Sequence, residues 1–252
     1  MQPLRKVISK LKLRASYGQV GNANLGGRRF AYLSTITDDY ETLNMYKWGL
    51  DSSYGLTGMA EGEFAVQDLT WEIVNKMNLG VELGFLNGMI DLQLDYFDER
   101  RKDIFMPRES VPMTAGFMKQ PWKNFGKVTN QGVEVSLNVN KQFGKDLFVS
   151  LMGTFTYAHN EITEKDEPSA VVGTNRAETG HPVGQLTGYI AEGLFTADDF
   201  EDVSTGKLKE GIPTQSFVSK LRPGDIRYRD VNGDGKVDVF DKSPIGEQKI
   251  RR

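Results

Sequence analysis

Between residues 77 and 97 the chain alternates apolar and polar positions almost without a break. Met77, Leu79, Val81, Leu83 and Phe85 are separated by Asn78, Gly80, Glu82 and Gly84; past Asn87-Gly88, Ile90, Leu92, Leu94 and Tyr96 alternate with Asp91, Gln93, Asp95 and Phe97. A period of two is the period of a strand, and Asn-Gly supplies the positive φ angles of a type I′ turn, so this stretch predicts a β-hairpin. A second pair repeats the plan. Val133, Val135, Leu137 and Val139 alternate with Glu134, Ser136 and Asn138, a turn follows at Phe143–Asp146, and Leu147, Val149, Leu151, Phe155 and Tyr157 continue the pattern. Leu11, Leu13, Ala15 and Tyr17 alternate with Lys12, Arg14 and Ser16, so strand begins within the first two dozen residues.

The connections narrow the architecture. Those at Asn87-Gly88 and around Gly144 are tight, whereas Arg101–Thr129 and the stretch after His159 are long. Short turns on one rim and long loops on the other, joined by strands of about ten residues or more, describe a transmembrane β-barrel. A soluble antiparallel sheet with one wet face shares the same periodicity. Aromatic residues at strand ends (Tyr17, Phe85, Tyr96, Phe97, Tyr157 and nearby Trp71) suit interfacial girdles. Lys12, Arg14, Glu82, Asp91, Asp95 and Glu134 suit a watery lumen or an ordinary solvent face equally. Elsewhere, Phe30, Tyr32 and Ile36 suggest a weak strand, Val183–Phe195 another, and residues 197–224 a loop.

Composition excludes several classes. The 252 residues include 27 Gly and 9 Pro, favouring many strands and turns, and no apolar run approaches the ~18 residues of a transmembrane helix. Without cysteine there is no disulfide scaffold, thiolate metal site or cysteine nucleophile. With 31 Lys+Arg against 34 Asp+Glu the net charge is −3, and no basic stripe suits nucleic acid. The N-terminal segment lacks the apolar core and cleavage site of a secretory signal. His159 and His181 read as loop histidines without metal-binding spacing, and no nucleophile elbow, P-loop or dinucleotide fingerprint occurs. Asp95, Asp98 and Glu99 read as a solvated rim. Tyr46, Trp48, Phe117 and Trp122, in expected loops, suit either packing or stacking on sugars.

One stretch carries explicit chemistry. Residues 230–241, DVNGDGKVDVFD, place oxygen side chains at Asp230, Asn232, Asp234, Asp238 and Asp241, positions 1, 3, 5, 9 and 12 of an EF-type calcium loop. Gly235 stands at the sharp sixth position, and the Lys236 carbonyl serves the seventh. Position 12 is Asp rather than the usual bidentate Glu, and no helix flanks the loop. This predicts a structural Ca2+ clip rather than a sensor. The same residues also make acidic turns without metal.

Five ordered strings resemble successive stretches of the carboxy-terminal barrel of SusC/RagA-type TonB-linked outer-membrane transporters. They are LKLRASYGQVGN (11–22), LTWEIVNKMNLGVELGFLNGMIDLQLDYFDERRKDIF (69–105), NFGKVTNQGVEVSLN (124–138), HPVGQLTGYIAEGLF (181–195) and GDIRYRDVNGDGKVD (224–238). Residues 38–60, 106–120 and 197–220 stay unmatched, as variable extracellular loops would.

The resemblance implies an all-β fold: residues 1–252 as an antiparallel transmembrane β-barrel segment, a partial arc of a large barrel of about 22 strands with a plugged lumen and long extracellular loops. Plug, signal peptide and last strands are expected to lie outside this sequence. Leu79, Val81 and Leu83 would meet outer-membrane lipid, and Glu82, Asp91, Asp95 and Glu134 the lumen. The implied activity is not enzymatic. It is import across the Gram-negative outer membrane of glycans or other oligomeric nutrients, oligosaccharide or peptide, with a SusD-like surface lipoprotein and the TonB complex acting through the plug. No residue is assigned to substrate. The reading from another class is a soluble calcium-stabilised β-sheet adhesion or carbohydrate-binding module.

Overall fold

The computed structural model describes residues 7–37, 46–48, 54–56, 59–117 and 119–246. The chain divides into two compact units, Met1–Asp166 and Glu167–Arg252.

In the first unit, β1 (Ile8–Asn22) is followed by four short strands, β2 (Ile36–Thr37), β3 (Tyr46–Trp48), β4 (Tyr54–Leu56) and β5 (Ala60–Glu61), which pair as β2 with β5 and β3 with β4. Four long strands follow: β6 (Glu72–Phe85), β7 (Ile90–Pro107), β8 (Trp122–Phe143) and β9 (Leu147–Glu164). With β1 they form one antiparallel sheet in the order β1-β6-β7-β8-β9, which does not close on itself. Of the expected strand around Phe30, Tyr32 and Ile36, only Ile36–Thr37 is extended. His159 lies within β9, so it is a strand residue rather than a loop histidine.

The register sorts most side chains into two faces, with Phe148 and Met152 of β9 standing on the polar side. Leu13, Val81, Leu94, Val135 and Phe155 stand side by side across all five strands, flanked by the rows Leu11-Leu83-Leu92-Leu137 and Ala15-Leu79-Tyr96-Val133-Tyr157. Arg14, Gly80, Asp95, Glu134 and Thr156 form a row on the opposite face. The apolar face is uncovered, with Leu13 73% and Phe155 62% exposed. Along β9 it runs from Leu147 to Tyr157, ten steps of about 3.3 Å, which at a tilt of about 40° is close to the ~25 Å of a barrel's lipid-facing band. Tyr17, Tyr96 and Tyr157 edge this band toward the long connections, and Phe85 and Phe143 edge it toward the tight turns. Phe97 departs from the expected girdle. It shares the charged face, where its ring spreads over Gly132, and a Cβ there would stand 2.5 Å from the ring.

The β6–β7 hairpin forms, but with a longer turn than a two-residue type I′ connection. Leu86, Asn87 and Gly88 all take positive φ (53°, 57° and 84°), and four residues separate the Phe85↔Ile90 pair. The 22 residues of β8 exceed what crosses a bilayer, so about half of that strand extends past the tyrosines on the side of the long connections.

The second unit is built from short strands: β10 (Leu186–Gly188), β11 (Ala191–Leu194), β12 (Phe200–Asp202), β13 (Lys207–Leu208), β14 (Thr214–Gln215), β15 (Ile226–Tyr228), β16 (Lys236–Val237) and β17 (Ser243–Gly246). They pair as β10 with β17, β11 with β15, β12 with β13 and, in parallel, β14 with β16. Residues 197–224 are therefore not a plain loop. Phe195, Phe200 and Leu221 are buried there, with Leu208, Ile212 and Val218 against them. Their scattered spacing follows no strand or helix period, which hides this core in the sequence.

Candidate functional site

The charged face of the sheet is organised by one missing side chain. Arg14 on β1 reaches over Gly80 on β6 to Asp95 on β7, donating to both carboxylate oxygens at 2.8 and 3.0 Å. A Cβ at residue 80 would lie 2.4 Å from Asp95 Oδ1 and 3.0 Å from Arg14 Nη2, so glycine keeps this passage open. Asp95 is buried (7% exposed) and also accepts from Gln93 at 2.7 Å, which satisfies a carboxylate that burial alone would disfavour. Glu82 gathers Lys10 at 2.8 Å, Lys12 at 3.3 Å and Arg14 at 3.2 Å. One tier along, Lys76 pairs with Glu99 at 2.8 Å and Asn130 donates to the same carboxylate. The cations of β1 and β6 are thus answered by acids of β6 and β7, giving a wettable, largely charge-balanced wall.

Beyond the tyrosine edge, side chains tie the connections together. Arg28 bonds Glu63 and lies 4.1 Å from the Trp122 ring centre, and Trp122 packs on Phe105. Lys119 donates to the other Glu63 oxygen at 2.9 Å, and Phe64 meets Phe117 edge-on at 4.6 Å. Thr70 and Asn124 exchange two hydrogen bonds. Asp166, 6% exposed, pairs with Arg108 at 3.0 Å and accepts from the Ser110 amide and hydroxyl. The Lys119 ammonium, helped by Arg28, holds the Glu63 carboxyl below the usual range against the opposing effect of burial. Burial would raise Asp166, but Arg108 and Ser110 outweigh it and leave that carboxyl lowered. Phe117 and Trp122 are therefore engaged in packing; the side chains of Tyr46 and Trp48 lie outside the described residues.

The acidic stretch 230–241 is a closed loop between β15 and β17, with a single 3-10 turn at Val239–Asp241. Asp230 accepts from the Gly233 and Gly235 amides, both at 2.7 Å. Asn232 Oδ1 accepts from the Asp234 amide, Asp234 from the Lys236 amide, and Asp238 from the Phe240 amide. Gly233 and Gly235, at φ 75° and 83°, supply the left-handed turns. Asp241 is fully buried and accepts from the amides of Val231, Asn232 and Asp238. The Gly235 and Val237 carbonyls bond Thr214 and Ser216 on the β14 side, so strand alternation turns the Lys236 carbonyl the other way. Among the described residues no three His, Cys, Asp or Glu side chains stand together as a metal cluster. The carboxylates are occupied by backbone N–H groups: each Asp230 oxygen takes one amide and keeps a second lone pair, whereas Asp241 Oδ1 takes two.

Taken with its long two-faced strands, aromatic edges and ion-paired face, the sheet defines a wall of a transmembrane β-barrel. The chain belongs to the TonB-dependent receptor-like β-barrel family, whose family model matches residues 4–241. TonB-dependent receptor SusC of Bacteroides thetaiotaomicron is 29% identical over 250 residues, covering 94% of this chain and 22% of SusC. TonB-dependent receptor P3 of Formosa agariphila is 24% identical over 253 residues, covering 95% of this chain and 23% of that protein. Among solved structures, the RagAB peptide importer in its 'open-open' state matches with a TM-score of 0.60 at 22% identity. The match covers 95% of this chain and 23% of that one. The chain thus spans about a quarter of the length of these relatives. Family membership decides for the barrel over the soluble module and places the chain in the outer membrane. Members of this family are transporters rather than enzymes.

Proposed function

We propose that this chain is a wall segment, with extracellular connections, of a TonB-dependent transporter that imports glycans or other oligomeric nutrients. A SusD-like surface lipoprotein would serve as partner, and the TonB complex would act through a plug outside this stretch. The observation that carries the reading is the sheet: an uncovered apolar band of about 25 Å edged by tyrosines, backed by a charge-balanced face. The likeness to a peptide importer supports peptide cargo, and the resemblance of the five ordered strings to SusC/RagA-type transporters supports oligosaccharide as the other candidate. The test is to delete the full-length gene and follow growth on a panel of oligosaccharides and peptides, with fractionation of the tagged product. Loss of growth on one cargo and an outer-membrane product are expected; a soluble product, or unchanged growth on every cargo, would overturn the reading.

In the same reading, residues 230–241 hold a structural Ca2+ through Asp230, Asn232, Asp234, the Lys236 carbonyl, Asp238 and Asp241. What supports this is an all-oxygen donor set and the turn of the Lys236 carbonyl away from β14. The ion would add order to a loop already closed by amide bonds. Metal analysis of the purified full-length transporter should find calcium that falls on substituting both Asp230 and Asp234 by Ala; the same content in the variant would remove the site.

A further inference from the structure

The β7–β8 connection (108–121) is held at its base and on both flanks. At the base, the Arg108 amide donates to the Pro121 carbonyl at 2.8 Å. On one flank stands Glu63, which follows β5 and takes Lys119 on one oxygen and Arg28 on the other. Arg28 in turn covers the ring of Trp122, the first residue of β8. The adjacent residue, Phe64, packs on Phe117, so two consecutive residues engage the same stretch by charge and by ring contact. On the other flank stands Asp166, just past β9, taking Arg108 and both the amide and the hydroxyl of Ser110. Arg108 lies over Phe125 as well.

Glu63 is itself braced. Its amide donates to Thr35 Oγ1, its carbonyl accepts from the Thr35 amide, and the Gly62 amide donates to the Thr35 carbonyl. The Val66 amide reaches Ala31, and Val66 is buried. A carboxylate fixed to a hydrogen-bonded ladder transmits force; one on a free chain would not. The two carboxylates belong to different segments, one ahead of β6 and one behind β9, and their bonds go to different partners.

We propose that Glu63 and Asp166 form a two-sided carboxylate clamp that fixes the β7–β8 connection as a stationary element of the extracellular rim. Each flank holds independently, and rim motion on this arc is confined to segments outside the clamp. The clamp depends on the fold alone, so it stands or falls apart from any assignment of cargo.

Amide hydrogen exchange on the full-length transporter in detergent tests it, comparing wild type with Glu63→Gln, Asp166→Asn and the double variant. Each single change should raise exchange of residues 108–117 modestly, and the double change by at least about tenfold, the effects multiplying as for independent contacts. Protection in β6 and β7 should remain unchanged, which separates release of the connection from misfolding. Unchanged exchange in the double variant would overturn the clamp. Full release by one single variant alone would overturn its two-sidedness. If the single variants fail to assemble, Lys119→Met and Arg108→Met, which remove the charged donor on each flank and leave both carboxylates in place, should give the same ordering.

Discussion

The long sheet and the 167–246 unit are both β structure, yet they are held by different means. In the sheet, strands of 14 to 22 residues align their side chains into rows, so order follows from periodicity and from the medium on each face. In the second unit the strands have two to four residues, too short for rows to define an inside. Its order comes from a small apolar cluster around Phe195 and from carboxylates that close turns on themselves. A sheet of the first kind tolerates change within a face and fails across faces. A unit of the second kind fails residue by residue.

The comparison can be broken most sharply at the centre of the apolar band. Leu94→Arg should destabilise the assembled transporter by about 3 kcal/mol, whereas Ser136→Arg on the opposite face should be nearly neutral; the folded fraction in outer membranes reads both. Equal damage from the two would mean the faces are misassigned. In the second unit, Asp241→Ala leaves three amides without their acceptor and should cost about 3 kcal/mol of local stability, seen as faster exchange at Val231, Asn232 and Asp238. Gly80→Val should cost about 2 kcal/mol by pushing Arg14 off Asp95, and Gly18→Val much less, since nothing lies within 4 Å of a Cβ there. The smallest effect concerns pH. Because Asp166 is lowered on folding, its contribution is fully present above the ordinary carboxylate pKa and is lost as pH falls through the lowered value. Protection of the Ser110 amide, taken relative to its intrinsic exchange rate at each pH, should therefore fall only at acid pH, and unchanged protection there would remove Asp166 from the rim.

The five-stranded sheet was legible because alternation reports burial directly: Leu13, Val81, Leu94 and Val135 each sit where the period of two puts them. The wall's pairing was only half legible. Lys12, Arg14, Glu82 and Asp95 could be placed on one face, but the bridge from Arg14 to Asp95 depends on Gly80, and an alternating pattern treats glycine as a neutral spacer. For Phe97 the alternation already indicates the polar face and only its place near an expected strand end suggests a girdle; what the pattern hides is the room for its ring at Gly132, thirty-five residues on. The clamp residues Glu63 and Asp166 left no signal, being single acids whose partners come from other segments. The 230–241 loop was read by spacing, and spacing does not reveal that Asp241 is turned inward to its own backbone.

The unequal reach of the strands changes where a solute first meets the protein. With about half of β8 standing clear of the lipid band, this side of the wall continues into open water. Polar wall and tied connections are what the aqueous side presents, well before the level of the hydrocarbon. Residues on the outer half of β8 can therefore change without altering the part of the wall that meets hydrocarbon.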